Sequence, residues 1–172
     1  ALITVNYIDF PDAPKTAFNH AVSILESILP EGTIIRIKAT WANFTNESVL
    51  ANSSAGSFLA GWGINALNPY AYYPVALGEK IAGKDYNGAD EPDIELTFNS
   101  SAAWYFGIDV TTPVSKYDMV TVVLHELIHG LGFVDSMTEG KWTGSYGLNS
   151  IPLIYDTFIE SLDGKRLTDT VY

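Results

Sequence analysis

The stretch VTVVLHELIHGLG, residues 120–132, is the most apolar helical pattern in the chain, and the architecture is read outward from it. Val120, Val123, Leu124, Leu127 and Leu131 recur at the spacing of one helix face, which predicts a helix with its core side on those five residues. The β-branched residues among Val120 to Val123 lower helix propensity slightly, and the helical spacing outweighs them. Ser115 followed by Asp118 has the form of a capping box, so the helix is expected to begin near Lys116. Gly132 stands where a left-handed residue turns the chain out of a helix.

Within this helix His125, Glu126 and His129 spell H-E-x-x-H. Residues i and i+4 share a helix face, so the two imidazoles are placed to bind one divalent ion, with Glu126 to the side of the pair. Zinc held by two or three protein ligands keeps a position for water and lowers that water's pKa toward about 7. A glutamate beside it can take the proton as the water attacks a carbonyl. Two histidines and a base in this spacing point to a metallohydrolase. The third histidine, His20, lies off the apolar stripe of its own helix and reads as a surface residue.

Composition narrows the remaining classes. A length of 172 residues suits one domain, and 47% apolar with 13% aromatic residues describes a globular chain. The net charge of −11, from 20 acids against 9 bases, argues against nucleic acid and anionic membrane as partners, since both demand basic patches. With no cysteine, disulfides, thiolate metal sites and cysteine nucleophiles are all excluded, so any metal relies on His and carboxylate. No uninterrupted apolar run of about 18 residues offers a membrane-spanning helix. A start at Ala1 without a basic-then-apolar leader fits a mature or trimmed N-terminus, and the missing cysteines suggest an exported bacterial protein.

Ahead of the motif, residues 2–10 alternate as a strand with Ile3, Val5 and Tyr7 on one face. Residues 15–29 follow as an amphipathic helix through Phe18, Ala21, Val22, Leu25, Ile28 and Leu29. Ile35, Ile37, Ala39 and Trp41 then alternate along a second strand at 33–41, completing a βαβ unit with a right-handed crossover. Between 42 and 92 turn residues dominate. Tyr72 to Leu77 reads as a short strand that Pro74 confines to a sheet edge, and 83–92 as a loop. Ile94, Leu96 and Phe98 mark a further strand, with the aromatic group at 104–106 packed against the sheet. After the motif, 152–162 reads as a short final helix. The fold class expected is α/β (α+β), a mixed twisted sheet of about four to five strands with an N-terminal helix and the motif helix.

The segment His125-Glu126-Leu127-Ile128-His129-Gly130-Leu131-Gly132 resembles the first eight positions of the metzincin zinc peptidase pattern, H-E-x-x-H-x-x-G-x-x-H/D. The strand from Asp93 to Phe98 is similar to the D-I-x-I-x-F strand that precedes this helix in matrix metalloproteinases. His125 to Phe133 is similar to secreted bacterial metallopeptidases carrying H-E-x-x-H-G-L-G-F. The resemblance implies a metzincin-like domain over 1–172, with an upper part at 1–132 and a short or incomplete lower part at 133–172.

It further implies one catalytic zinc ion on His125 and His129, with Glu126 as general base. The third ligand is then Asp135, three residues past the glycine, or a residue beyond Tyr172, with Asp156 as a second choice within the chain. Tyr146 or Tyr155 would stabilise the oxyanion, and an extended protein or peptide substrate would pair with the edge strand at 72–77. The function implied is a secreted zinc endopeptidase. A metalloprotease-like binding module that cleaves nothing, and a zinc hydrolase acting on non-peptide bonds, are the other readings.

Overall fold

The computed structural model describes residues 1–109, 111–140 and 144–169. The first three elements follow the sequence pattern: strand β1 (Leu2–Ile8), helix α1 (Asp12–Ile28) and strand β2 (Ile34–Ala42). β1 and β2 pair in parallel, with Ile3 opposite Ile35, Val5 opposite Ile37 and Tyr7 opposite Ala39, so the alternating apolar residues of both strands share one face. α1 buries Phe18, Ala21, Val22 and Leu25 as the spacing predicts, whereas Ile28 is exposed at the helix end.

Two short strands follow, β3 (Ala51–Ala55) and β4 (Phe58–Ala60), then β5 (Tyr72–Pro74) and helix α2 (Val75–Ala82). The expected strand at 72–77 is thus corrected. Pro74 becomes the residue before the first helical turn, where its missing N–H costs nothing, and the chain continues as helix. β6 (Ile94–Asn99) carries the predicted alternation. β7 (Trp104–Tyr105) pairs with β8 (Tyr117–Asp118), which runs directly into helix α3 (Met119–Gly130). The helix starts later than the capping-box reading placed it: Asp118, not Ser115, is the cap, and its carboxylate accepts from the Thr121 N–H at 3.1 Å. Beyond α3 lie a small ladder of β9 (Thr138–Glu139) with β10 (Gly144–Ser145) and two single 3₁₀ turns. One of these, Tyr155–Phe158, replaces the expected helix at 152–162.

The main sheet has four strands in the order β1-β2-β6-β3, parallel except for β3, which runs antiparallel to β6. This is a mixed α/β arrangement, as the sequence predicts at the level of class. The strand missed by sequence pattern is β3, whose residues Ala-Asn-Ser-Ser-Ala carry no apolar alternation. Its register pairs Ala51, Ser53 and Ala55 with Phe98, Leu96 and Ile94, so small side chains lie on the sheet face that α1 and α3 cover. The core there gathers Phe18, Ile35, Ile37, Leu96 and Phe98 from the sheet and α1, and Phe10 from the link between β1 and α1, with Met119, Val123 and Leu127 from α3. Trp104 packs into it as expected, its ring 6.1 Å from that of Phe98 and its Nε1–H donated to the Asn99 carbonyl.

The opposite sheet face is polar, with Lys38 paired to Glu95 across β2 and β6. The entry to β6 is fixed by buried Asp93, which accepts from the Arg36 N–H at 2.7 Å and the Asn87 side-chain amide at 3.1 Å.

A smaller cluster of Ile64, Ala66, Ala71 and Tyr73 joins residues 59–82 to Ile154. Tyr72 donates its N–H to the Pro152 carbonyl and accepts from the Ile154 N–H, both at 2.8 Å, while Ala60 pairs with it on the other side. Neither side of Tyr72 is therefore open to an extended peptide, which corrects the expected substrate strand. The same bonds anchor the chain after residue 132 onto the part before it; positions 141–143 and 170–172 of that later part lie outside the described residues. Among the described residues no helix is long and apolar enough to cross a membrane.

Candidate metal centre

Helix α3 is seated by its glycines. Gly130 faces Ile94 of β6, where an added Cβ would stand 2.3 Å from Ile94 Cγ2, so the helix end lies against the strand because the residue has no side chain. The buried stripe is Met119, Val123, Glu126, Leu127 and Gly130. Val123 and Leu127 are on it as predicted, while Val120, Leu124 and Leu131 are only partly buried at its margin. The stripe has rotated enough to include the motif glutamate.

At its C-terminus the helix closes with a Schellman motif. The Phe133 N–H reaches the Ile128 carbonyl at 3.1 Å and the Gly132 N–H reaches the His129 carbonyl at 2.9 Å, with Gly132 at φ +115°. Gly132 turns the chain as the sequence predicts, and Pro74 lies beside it, 2.8 Å from where a Cβ would be.

This turn does more than end the helix. It brings the Phe133 carbonyl oxygen to 2.7 Å from His129 Nδ1. A carbonyl only accepts, so Nδ1 carries the proton and Nε2 presents a lone pair. His129 Nε2 lies 2.9 Å from His125 Nε2, and the two rings stand perpendicular with centroids 4.4 Å apart. Two imidazoles converging through Nε2, one held from behind by the Phe133 carbonyl, form half of a tetrahedral site. Tetrahedral ligation with bonds of about 2.0–2.1 Å separates ligand nitrogens by about 3.3 Å. A small opening of the pair meets that requirement, and the residues fit the ion as a bidentate pair.

Glu126 is 8% exposed and accepts no hydrogen bond among the described residues. Burial raises its carboxyl above the usual carboxylate range, and the neighbouring His125 and His129 charges offset part of that rise. A partly desolvated carboxylate next to two candidate ligands is the kind of group that exchanges a proton with water in general acid–base chemistry.

The remaining predicted residues are placed elsewhere. Asp135 is exposed, and its Oδ1 accepts from the Met137 N–H at 3.0 Å. Asp156 is fully buried and engaged by Ser136 and the Leu153 N–H. Among the described residues no group of three or more His, Asp or Glu side chains comes together to hold a metal ion. Tyr155 packs at a tilt against Phe133, 4.7 Å between ring centroids, whereas Tyr146 lines a groove of about 720 Å³ with Tyr73, Ile154 and Phe158. His20 is half-buried on α1. Sequence reading missed the seat at Gly130 and the carbonyl of Phe133. A glycine inside an apolar helix is the signal for the first, and the glycine-then-aromatic end of the motif is the signal for the second.

Comparison with known proteins bears on the source and kinship expected from sequence. The family model described as SPBPB7E8-like matches residues 12–163, which take in the helices, the whole main sheet except β1, and the motif. The chain is 27% identical over 137 residues to a protein of the fission yeast Schizosaccharomyces pombe, "Uncharacterized protein PB7E8.01", across 74% of this chain and 23% of that protein. The chain thus spans about a quarter of the length of the curated relative it matches. No solved structure matches it.

Two expectations are corrected. Kinship with the metzincins gives way, because the matched family is a different one and the three-ligand group that defines a metzincin site does not gather among the described residues. The expected source, a secreted bacterial protein, gives way as well, because the relative is a eukaryotic one. With 12–163 matched over most of its length, the chain belongs to the SPBPB7E8-like family.

Proposed function

We propose that the protein is a zinc-dependent endopeptidase in which His125 and His129 hold the ion and Glu126 is the general base. The observation that carries this reading is the convergence of the two Nε2 atoms, 2.9 Å apart, beside a buried glutamate that has no hydrogen-bond partner among the described residues. When bound, zinc supplies a Lewis acid that polarises a carbonyl and acidifies water. Glu126 takes the proton released as water adds to the peptide carbonyl carbon, and returns it to the departing amine nitrogen. The Phe133 carbonyl keeps the His129 proton on Nδ1 throughout, so that Nε2 stays available as a ligand. No third ligand gathers with the two histidines among the described residues, and Asp135, exposed with its Oδ1 on the Met137 N–H, is not brought to them.

Peptide bonds are favoured over other acyl substrates by the sheet. Among the described residues β3 is an edge strand with β6 as its one strand partner, and α3 packs beside it. An edge of this kind offers backbone N–H and C=O groups to an extended chain.

The test is zinc content per chain together with cleavage of casein or a peptide library, for wild type and Glu126→Ala, with and without chelator. One zinc per chain, with cleavage abolished by the substitution and by chelator, is expected. Bound zinc without cleavage in wild type overturns the peptidase reading.

That last outcome is the second reading, a zinc-holding module that cleaves nothing. The absence of a third gathered ligand among the described residues favours it.

A further inference from the structure

Asp156 is fully buried and pairs with no cation among the described residues, yet its carboxylate is well supplied with donors. Oδ1 accepts the Ser136 N–H at 2.8 Å, and Oδ2 accepts the Leu153 N–H at 2.7 Å together with the Ser136 hydroxyl. Ser136 Oγ in turn accepts the Gly147 N–H at 2.6 Å. A buried carboxylate is tolerated only where its desolvation is offset by hydrogen bonds, and removing one partner leaves the others unsatisfied, so such a group fixes the relative position of everything it touches.

What Asp156 touches is the segment that leaves α3. Next to it in sequence, Tyr155 packs its ring against that of Phe133 at a tilt, 4.7 Å between centroids. Two consecutive residues of the Tyr155–Phe158 turn therefore grip both ends of residues 133–136, Tyr155 at Phe133 and Asp156 at Ser136. The Phe133 carbonyl that holds His129 Nδ1 lies within this span. So does Asp135.

We infer that Asp156 is a positioning residue for His129, acting through this two-point clamp to hold the Phe133 carbonyl on Nδ1 and Nε2 toward His125. The inference deepens the metal-site reading and rests on His129 as a ligand. It assigns Asp156 a role distinct from ligation, since both its oxygens are already occupied.

The test uses the whole chain with ¹⁵N-labelled histidine. Long-range ¹H–¹⁵N spectra of the zinc-free protein report which ring nitrogen of His129 is protonated, and competition with a chromophoric chelator gives the affinity for Zn²⁺ alone. Wild type is expected to show a single Nδ1–H tautomer. Asp156→Asn is expected to show a mixture and a Zn²⁺ affinity weaker by roughly 10–100-fold, the range typical for loss of an outer-shell partner. Ser136→Ala, which keeps both N–H donors to the carboxylate, shifts both readouts the same way by less.

A folded Asp156→Asn protein with the wild-type tautomer and affinity overturns the inference, because a merely structural role lowers the melting temperature without moving the tautomer. If Asp156→Asn does not fold, Ser136→Ala decides on the same two readouts. If wild type takes up no Zn²⁺, the ligand reading fails, and the tautomer of the variants alone decides whether the clamp exists.

Discussion

Gly130 lies against Ile94 so closely that a Cβ on the glycine would stand 2.3 Å from Ile94 Cγ2 and 3.0 Å from Cδ1. The contact sets how near the motif helix approaches the central strand. Gly130→Ala is expected to destabilise the fold by about 1–3 kcal/mol through overpacking, despite the better helix propensity of alanine. Ile94→Ala in the same chain should recover part of that loss. Urea unfolding of both single variants and the double variant measures the coupling; strictly additive effects would mean the contact is not tight.

Gly132 combines a φ of +115° with a Pro74 ring atom 2.8 Å from its missing Cβ. Gly132→Ala meets both obstacles, so a loss of about 1–2 kcal/mol is expected. Because this residue delivers the Phe133 carbonyl to His129, zinc affinity should fall along with stability. Titration with a competing chelator checks the second effect, and unchanged affinity would separate the turn from the site.

Glu126 is nine-tenths buried without a compensating hydrogen bond among the described residues, an arrangement that favours chemistry over stability. Glu126→Gln removes the desolvated charge and keeps the shape. The zinc-free variant is expected to melt at the same temperature as wild type or slightly higher, by the equivalent of up to about 1 kcal/mol. Cleavage should be lost. A large drop in melting temperature would show the carboxylate to be a structural partner instead.

Tyr7 sits against Phe10 and Phe18, with its hydroxyl donated to Asn19 Oδ1 at 2.8 Å. Burial raises its phenol well above the ordinary value near 10. Above that ordinary value the unfolded chain releases the proton that the folded chain retains. The folded state then binds more protons, and stability falls as pH rises. Tyr7→Phe removes this contribution, so the stability difference between wild type and variant is expected to shift in favour of the variant between pH 9 and 11. Urea midpoints across that range provide the measurement; parallel curves would contradict it.

Much of the fold is legible before any coordinates are known. The alternation in residues 2–8, 34–42 and 94–99 and the helical spacing at 12–28 and 119–130 each record burial against a sheet or helix face, and a pattern of that kind needs only local sequence to be read. The H-E-x-x-H spacing likewise places two imidazoles on one face from helix geometry alone. Distant partners decided the rest. β3 has no apolar alternation because its inner face needs small residues to admit α3, and it exists through pairing with β6, some forty residues later in the chain. At 72–77 the sequence is compatible with strand or helix, and the strand pairing of Tyr72–Pro74 with Phe58–Ala60 gives way to helix at Val75, after Pro74.

The motif itself marks the same division. Residues 120–132 by themselves determined a helix, its terminal glycine, two candidate ligands and a base. Tertiary structure decided that Glu126 faces inward, that the Phe133 carbonyl fixes His129, and that Asp156 is committed to Ser136 and Leu153. Periodicity is written into a helix because each residue's direction follows from its neighbours. Which way a side chain's hydrogen bonds run depends on segments that only the folded chain brings together.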